Sequence, residues 1–467
     1  MGNIVKETNA EKIGTAVQKQ RDFFLSGATL ELNFRKDALR RLLEAVRKNE
    51  SPIASALQAD LGKSEFEAYA CETGLLIAEL RLHIAKMASW AKPKRAPISL
   101  LNFPAKGALW PEPYGSSLII APWNYPFLLA LMPLIGAISA GCCAILKPSE
   151  FAPRSSELIE TLLCEVFPPG HVLPISGAAD TAKELLQHKF DFIFFTGGPA
   201  QGREVMAAAA KELTPVLLEL GGKSPCIVGN DADISVAARR IAWGKFLNAG
   251  QTCVSPDYLL VQKEIREPFL AEMKKCIGSF WGPNPLGNPE YPRIVNERHY
   301  ERLSKLLSSG KAFCGGNADR ESLRIEPTML VDVPLESPVM AAEIFGPILP
   351  VFTIENLDEA ISFVDSRPSP LALYYFGKNK EAKKRIASSV RAGGICFNDT
   401  IVQLTEAALP FGGIGESGFG AHHGKASFDA FTHYKPVMSR GCFPDLPIRY
   451  PPFSGKLRLL KKFMNWL

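Results

Sequence analysis

Apolar residues recur at helical spacing through the first ninety positions of the chain. Segments 35–50 (RKDALRRLLEAVRKNE) and 66–90 (FEAYACETGLLIAELRLHIAKMASW) place them three and four residues apart, which predicts amphipathic helices. Segment 91–107 (AKPKRAPISLLNFPAKG) then breaks the pattern with proline and lysine. This break is consistent with a linker or with an excursion from the main body.

Strand and helix patterns alternate after this break. Short apolar runs predict strands at 116–120, 143–147, 171–176 and 190–195. Longer runs predict the helices that follow them, at 127–140, 155–167, 181–189 and 202–213. This alternation is typical of a parallel, doubly wound α/β sheet, which binds ligands at the carboxyl ends of its strands.

One uncharged stretch, from Pro113 to Leu146, is long enough to span a bilayer. Proline and glycine interrupt it, for example at Pro126 and Gly136. Strands buried on both faces also read as continuous apolar runs. We therefore interpret the stretch as strand, turn, helix and strand inside a protein core.

A second α/β region begins near residue 220. Its pattern predicts helices at 234–247 and 381–390, and strands at 371–376 and 393–397.

The last segment, 449–467 (RYPPFSGKLRLLKKFMNWL), is basic and apolar. A single helical stripe is formed by Leu457, Leu460, Met464 and Leu467. The positive charges come from Lys456, Arg458, Lys461 and Lys462. Such a helix either packs on a neighbouring subunit or on its own domain, or lies on a membrane surface.

Composition narrows the classes of protein. The chain has 467 residues, 46% of them hydrophobic, and a formal net charge of +5. These values argue against a disordered or fibrous chain and against a dedicated nucleic-acid binder. Ten cysteines without a Cys-x-x-Cys pair do not form a disulfide scaffold, and residues 1–11 lack the apolar core of a signal peptide. The predicted compartment is the cytoplasm.

Three polar side chains stand out because of the segments around them. Cys253 in GQTCVSPDY is a candidate nucleophile, although a lone cysteine is more often buried and inert. Glu219 lies at the end of an apolar strand, just before two glycines. It is either a general base or a strand-end glutamate that reaches solvent. Asn124 in APWNYP offers an amide donor for a developing oxyanion, or an N-cap.

Four further segments carry candidate ligand contacts. FFTGGPAQGREV places a glycine-rich turn, 197–202, between a strand and a helix, which suits a phosphate. KPSE ends a strand with Lys147 and Glu150, while EIFGP pairs a carboxylate with an aromatic ring. GGIGESG at 412–418 matches G-x-G-x-x-G but lacks a preceding strand, so we interpret it as a loop.

Taken in chain order, these motifs resemble the aldehyde dehydrogenase superfamily. They are APWNYP, LKPSE, FTGGPAQG, LELGGKSP, GQTCVSPDY, EIFGP and LPFGGIGESG. Segments RRIAWGKFLNAGQTCVSPDY, FNDTIV and RYPP are similar to the class 3 branch, which favours fatty and aromatic aldehydes. The resemblance implies NAD(P)-dependent oxidation of medium- or long-chain aliphatic or aromatic aldehydes to acids.

The resemblance also implies a role for individual residues. Cys253 would be the nucleophile, Glu219 the base that activates the deacylating water, and Asn124 the oxyanion donor. NAD, and often NADP, would be bound by Trp123, Lys147, Glu150, Thr196, Gly197, Gly198, Gly202, Leu220, Gly221, Glu343 and Phe345. No metal site is expected, since no other metal-ligating residues stand near His422-His423 in the sequence at the spacing of a zinc site.

The implied fold is α/β, with a Rossmann-type parallel-sheet cofactor domain, an α/β catalytic domain and a small oligomerisation β-ribbon. The cofactor domain would comprise 1–92 and 113–220, and the catalytic domain 221–420. Segments 93–112 and 421–445 would mediate oligomerisation, before a tail at 446–467. Members of this branch are typically homodimers, so we expect a homodimer with an aldehyde substrate and, through the tail, a weak contact with a membrane surface.

Three other functions stay open from the residues. A coenzyme-A-acylating dehydrogenase would use a thiol instead of water in the second step, and retention of Glu219 favours water. A thiol hydrolase would pair Cys253 with a histidine. A crystallin-like or scaffold protein would use none of these side chains. The Gly198-Pro199 pair departs from the small polar pair of many relatives, which leaves the choice between NAD and NADP open.

Overall fold

The computed structural model describes residues 7–465. Expectations for residues 1–6, and for Leu467 in the tail stripe, lie outside these residues. The chain begins with a helical layer, as predicted: α1 (Ala10–Leu25), α2 (Leu32–Lys48), α3 (Glu50–Leu61), α4 (Glu65–Ala68) and α5 (Gly74–Trp90). The predicted helix at 66–90 contains a π-helical turn, Tyr69–Thr73, which joins α4 to α5. The predicted helix at 35–50 ends at Lys48, and Asn49 separates it from α3.

The alternating region folds into a parallel sheet, as its pattern predicts. Two strands precede it, β1 (Lys94–Ala96) and β2 (Lys106–Pro113). The region itself consists of β3 (Ser116–Ile120), α6 (Pro126–Ala140), β4 (Cys143–Lys147), α7 (Pro153–Val166), β5 (Val172–Pro174), α8 (Ala179–Leu185), β6 (Phe192–Gly197), α9 (Pro199–Lys211) and β7 (Val216–Leu220). The parallel strands lie in the order β7-β6-β3-β4-β5.

The uncharged stretch is part of this core. β3, α6 and β4 are almost entirely buried, which explains why their sequence lacks alternation. Among residues 7–465, no helix combines the length and the apolar character that crossing a membrane requires.

A second sheet follows, with helices between its strands. Its elements are β8 (Pro225–Val228), α10 (Ile234–Phe246), β9 (Tyr258–Gln262), α11 (Arg266–Trp281), α12 (Glu297–Leu306), β10 (Lys311–Cys314), β11 (Ala318–Asp319), β12 (Arg324–Ile325), β13 (Thr328–Val331), α13 (Pro338–Ala341), β14 (Ile348–Ile354), α14 (Leu357–Asp365), β15 (Ala372–Phe376), α15 (Lys380–Ser389) and β16 (Gly394–Phe397). The order is β10-β13-β14-β9-β8-β15-β16, and β10 alone among these seven strands runs antiparallel to its neighbour. β11 and β12 form a separate two-stranded hairpin.

The C-terminal part pairs with the first parallel sheet and with strand β2. Its elements are β17 (Gly418–Phe419), α16 (Lys425–Ala430), β18 (Thr432–Ser439) and α17 (Leu457–Met464). β17 pairs antiparallel with β7, with Gly418 opposite Glu219, so the end of GGIGESG is a strand and not only the loop that we expected. β18 pairs with β2, and β2 with β1, which gives a three-stranded antiparallel sheet.

Candidate active site

The candidate site residues of the first sheet lie at or just beyond the carboxyl ends of its parallel strands. Asn124 follows β3, Lys147 ends β4, Thr196 lies near the end of β6, and Glu219 lies near the end of β7. Thr196 and Glu219 are opposite each other in the β6–β7 register. This is the edge at which parallel α/β sheets bind ligands.

Cys253 approaches from the second sheet, in the loop between α10 and β9. Two residues with left-handed backbone, Asn248 (φ 51°) and Ala249 (φ 50°), turn the chain after α10. The Cys253 side chain is half-buried. Burial raises the pKa of its thiol, and so do the nearby carboxylates of Glu343 and Glu219. The thiol is therefore the resting form of this side chain.

The carboxylate of Glu219 is buried near the end of β7. Its side chain is 3% exposed, and neither carboxylate oxygen has a hydrogen-bond partner among the described residues. Burial raises its pKa well above the ordinary value. The Nε2 atom of His422 lies 3.8 Å from Oε1, too far for a hydrogen bond. An unpaired carboxylate in a dry site suits a general base.

Asn124 is tied to the Cys253 loop by its side chain. Its Nδ2 atom donates to the carbonyl oxygen of Gln251 at 3.0 Å, and the residue is 3% exposed. An amide nitrogen carries two hydrogens, so one remains for a ligand. The neighbouring Tyr125 hydroxyl lies 2.7 Å from the Thr252 hydroxyl, which adds a second link between the two loops.

Glu343 and Phe345 reach the same region from the loop before β14. A Cβ atom added to Gly221 would lie 1.9 Å from Oε2 of Glu343, so only glycine leaves room for this carboxylate. Burial, followed by the charge of Asp257, raises the pKa of Glu343 to about 8. The Phe345 ring packs edge-on against Trp123, with centroids 5.3 Å apart.

A cavity of about 160 Å³ lies beside β4 and α7, next to two further predicted residues. Lys147 Nζ donates to Glu150 at 2.8 Å, and Glu150 lines this cavity. The cavity wall consists of Pro148, Ser149, Glu150, Pro153, Ser156, Glu157, Glu160, Ser176 and Gly177.

The predicted glycine turn leads directly into a helix. Gly197 ends β6, and α9 begins at Pro199. A Cβ atom on Gly202 would lie 2.6 Å from the Leu220 side chain, so glycine permits α9 to pack closely on β7. The free N–H groups at the start of this 13-residue helix suit an anion.

Sequence reasoning missed two buried residues of the site. His422 was considered only as a metal ligand, yet it lies beside Glu219. Lys245, near the end of α10, is fully buried, and its ammonium nitrogen has no hydrogen-bond partner among the described residues. Burial lowers its pKa to about 8. No sequence signal distinguishes Lys245 from the exposed lysines of other helices.

Within residues 7–465, no three His, Cys, Asp or Glu side chains are grouped closely enough to hold a metal ion.

Comparison with known proteins defines the family. Residues 3–437 match the model of the aldehyde dehydrogenase family. Aldehyde dehydrogenase family 3 member H1 of Arabidopsis thaliana is 48% identical over 455 residues, which cover 96% of this chain and 94% of the relative. The 4,4'-diaponeurosporen-aldehyde dehydrogenase of Staphylococcus aureus is 44% identical over 445 residues, covering 95% and 97%.

A solved structure agrees with the fold over nearly the whole chain. The substrate-bound state of Staphylococcus aureus AldH superimposes with a TM-score of 0.95 at 42% identity, and covers 97% of this chain and 99% of that one. The chain belongs to the aldehyde dehydrogenase family. It is an oxidoreductase that converts aldehydes to carboxylic acids, and the predicted fold class and class 3 resemblance are confirmed.

Proposed function

We propose that the enzyme oxidises its aldehyde through a covalent intermediate on Cys253, which water activated by Glu219 then hydrolyses. The supporting observation is that the Cys253 thiol lies within electrostatic reach of the Glu219 and Glu343 carboxylates, while Asn124 is bonded to the same loop. A nucleophile, a base and an amide donor are the groups that acyl transfer requires.

In the first step, the Cys253 thiol would lose its proton to the ionised Glu343 carboxylate, which passes it to solvent before the water attacks. Burial makes the ionised Glu343, with a pKa of about 8, a stronger proton acceptor than an exposed carboxylate, and it leaves Glu219 to take the proton of water. The sulfur then bonds to the carbonyl carbon, and the oxygen becomes an anion. The free N–H of the Asn124 amide and the Cys253 backbone N–H would donate to it; losing one such donor typically costs ~3–4 kcal/mol.

The residues around the site would hold a nicotinamide cofactor. NAD or NADP, when bound, accepts the hydride of the aldehyde carbon, which no side chain of this enzyme can do. The start of α9, after Gly197 and Gly198, would bind the pyrophosphate. Glu343 and Phe345 would hold the nicotinamide end, and Lys147 and Glu150 the ribose. Further proposed contacts are Trp123, Thr196, Gly202, Leu220 and Gly221.

We infer that NAD is preferred over NADP. The cavity beside Lys147 is lined by three carboxylates, Glu150, Glu157 and Glu160. An additional phosphate on the ribose would bring negative charge against them, and the neighbouring Lys147 ammonium is already bonded to Glu150. The expected result is a lower KM for NAD than for NADP.

In its ionised form, Glu219 would complete the reaction by removing a proton from water. No donor among residues 7–465 is bonded to its two oxygens, so either can accept that proton. The water oxygen bonds to the thioester carbon, the carbon–sulfur bond breaks, and the carboxylic acid leaves. Cys253 then recovers its proton from Glu219.

The preferred substrates are proposed to be apolar aldehydes, medium- or long-chain aliphatic or aromatic. Half-buried Leu404 and Phe411 pack on the same hydrophobic core as Cys253. An apolar chain or ring placed along them would be removed from water, at roughly 25 cal/mol for each square ångström buried.

The proposed assembly is a homodimer in the cytoplasm. Trp110 of β2 and Met438 of β18 are both about half exposed on the three-stranded sheet, at 48% and 51%. A partner subunit would cover these side chains. In this arrangement 1–92 and 113–220 bind the cofactor, 221–420 carry Cys253, and 93–112 with 421–445 contact the partner.

The tail, 446–467, is proposed to make a weak contact with a membrane surface. Leu457, Leu460 and Met464 of α17 share one face and are 44–61% exposed. Three basic residues, Arg458, Lys461 and Lys462, lie on the other face. Removal of 456–467 should reduce sedimentation with phosphatidylserine vesicles; unchanged sedimentation would reject this contact.

A panel of aldehydes, assayed with NAD and with NADP, with and without coenzyme A, tests the proposed function. We expect reduced cofactor from apolar aldehydes without coenzyme A, and none from Cys253→Ala. Activity that requires coenzyme A would indicate an acylating enzyme. Turnover of Cys253→Ala close to that of the wild type would reject the covalent intermediate.

A further inference from the structure

Two ionic side chains, Lys63 and Glu72, form a buried pair that the steps above do not use. The Lys63 ammonium lies 2.6 Å from Oε1 of Glu72, and both side chains are fully buried. Glu72 is placed in the core by the π-helical turn Tyr69–Thr73, a feature often found at functional sites. Burying such a pair commonly costs as much as it contributes, so stability alone does not explain it.

Both members of the pair hold the loop that carries Asn124. Lys63 donates to the backbone oxygen of Asn124 at 2.9 Å, and its ammonium lies 3.9 Å from the centre of the Tyr125 ring. The other oxygen of Glu72 accepts the backbone N–H groups of Phe127 and Leu128, at 2.9 and 3.2 Å. These are N–H groups of the first turn of α6, which have no partner within the helix. The loop is therefore fixed on both sides of Pro126.

The same loop is bonded to the segment that precedes Cys253. The Asn248 side chain donates to the Asn124 backbone oxygen at 2.9 Å, so that oxygen has two donors. The Asn124 amide donates to Gln251. Glu67 of α4 in turn accepts the backbone N–H of Asn248 at 2.9 Å. The helical layer thus contacts both loops whose relative position sets the distance between amide and sulfur.

We propose that Lys63 and Glu72 are positioning residues, which fix the Asn124 amide relative to Cys253 so that it can donate to the oxyanion. This inference rests on the proposed function, because it requires Asn124 to be that donor. The alternative is that the pair only attaches the π-helical turn to α6. The two differ in one respect: a positioning role acts through Asn124, and an attachment role does not.

The test is a double-mutant cycle between the pair and Asn124. Lys63→Met with Glu72→Gln removes the pair without leaving one charge buried alone. We expect the rate of the first turnover, per titrated thiol, to fall about ten- to a hundred-fold, with KM for aldehyde and NAD changed much less. In the Asn124→Ala background, the same two substitutions should lower the rate no further.

Arg35→Met is the matched control for lost stability. Arg35 is also a buried cation of the helical layer, and it donates to the backbone oxygens of Thr29 and Leu30. It should lower the melting temperature but leave the first-turnover rate per titrated thiol unchanged. If the Lys63→Met, Glu72→Gln enzyme does not fold, Lys63→Met alone gives the same readout, because burial raises the pKa of Glu72 and lets this carboxyl become neutral by taking up a proton.

Three results separate the possible failures. Equal fold-losses with and without Asn124 would overturn the positioning role, and so would an unchanged rate. An Asn124→Ala enzyme with a normal first turnover would instead reject Asn124 as the oxyanion donor, and the proposed mechanism would fail before the pair is considered.

Discussion

Replacing Glu219 by glutamine changes one atom of the candidate base and nothing that it is bonded to. The side chain is 3% exposed, and neither oxygen has a hydrogen-bond partner among the described residues. Glutamine has nearly the same volume but cannot accept a proton from water. The substitution therefore isolates the proton transfer from the packing.

The expected loss follows from the role of a general base. Such groups contribute about 10²–10⁴-fold, so kcat should fall by this factor, equivalent to roughly 3–5 kcal/mol of transition-state free energy. Only the second half of the reaction needs the base. Stopped-flow absorbance should therefore show a rapid burst of one reduced cofactor per active Cys253, followed by a slow steady state.

Stability should change in the opposite direction. Burial raises the pKa of Glu219, whereas in the unfolded chain this carboxyl has the ordinary glutamate pKa of 4.5. Above pH 4.5 the folded enzyme therefore holds a proton that the unfolded chain releases. The carboxylate therefore destabilises the fold more at pH 8 than at pH 5. Glu219→Gln should raise the melting temperature, and by more at pH 8. If Glu219→Gln gives a linear time course at a near-normal rate, Glu219 is not the general base. If this variant melts at a lower temperature than the wild type at pH 8, the Glu219 carboxylate is not unpaired in the fold.

Two further predictions concern single residues. His171 is buried among Phe23, Phe34 and Phe167, and burial lowers its pKa from 6.5 to about 4. Below pH 6.5 the unfolded chain therefore binds a proton that the folded protein does not. The free energy of unfolding should fall by about 2 kcal/mol between pH 7.5 and 5 for this reason. Urea titrations at pH 7.5 and 5 measure this fall: His171→Phe should lack this contribution to it, whereas replacement of the exposed His433 should leave the fall unchanged. Gly221→Ala places a methyl group 1.9 Å from the Glu343 carboxylate and should raise KM for NAD about ten-fold or more. Gly278→Ala in α11 meets nothing within 4 Å and should leave KM unchanged; equal effects would contradict the contact.

Local pattern was sufficient for the elements that are buried on both faces. β3, β4 and β6 lie close to where their apolar runs predicted them, because such strands have no polar face to obscure their limits. Element ends were less accurate. The strand expected at 171–176 is Val172–Pro174. The helix expected at 181–189 is Ala179–Leu185.

Pairings between distant segments were not accessible from pattern. Lys106 of β2 lies opposite Ser439 of β18, and Glu219 lies opposite Gly418. Neither segment carries a local signal for its partner. Only the family resemblance grouped residues 93–112 and 421–445, as the segments expected to mediate oligomerisation.

Buried charges were missed for a related reason. Lys63 and Glu72 occupy positions in a helical region where a charged residue normally faces solvent. Only the three-dimensional structure shows that each has the other as its partner, and that both contact the loop of Asn124. Candidate nucleophile and base were recognisable from their motifs, whereas the residues that orient them were not.

The central claim is that the acyl group is carried by the sulfur of Cys253. Mass spectrometry of proteolytic peptides, after Glu219→Gln is mixed with a saturating aldehyde and NAD and quenched in acid, tests it most directly. The account predicts an acyl group on the peptide that contains Cys253, in an amount equal to the burst. An acyl group on another of the ten cysteines, or a burst without any acylated peptide, would contradict it.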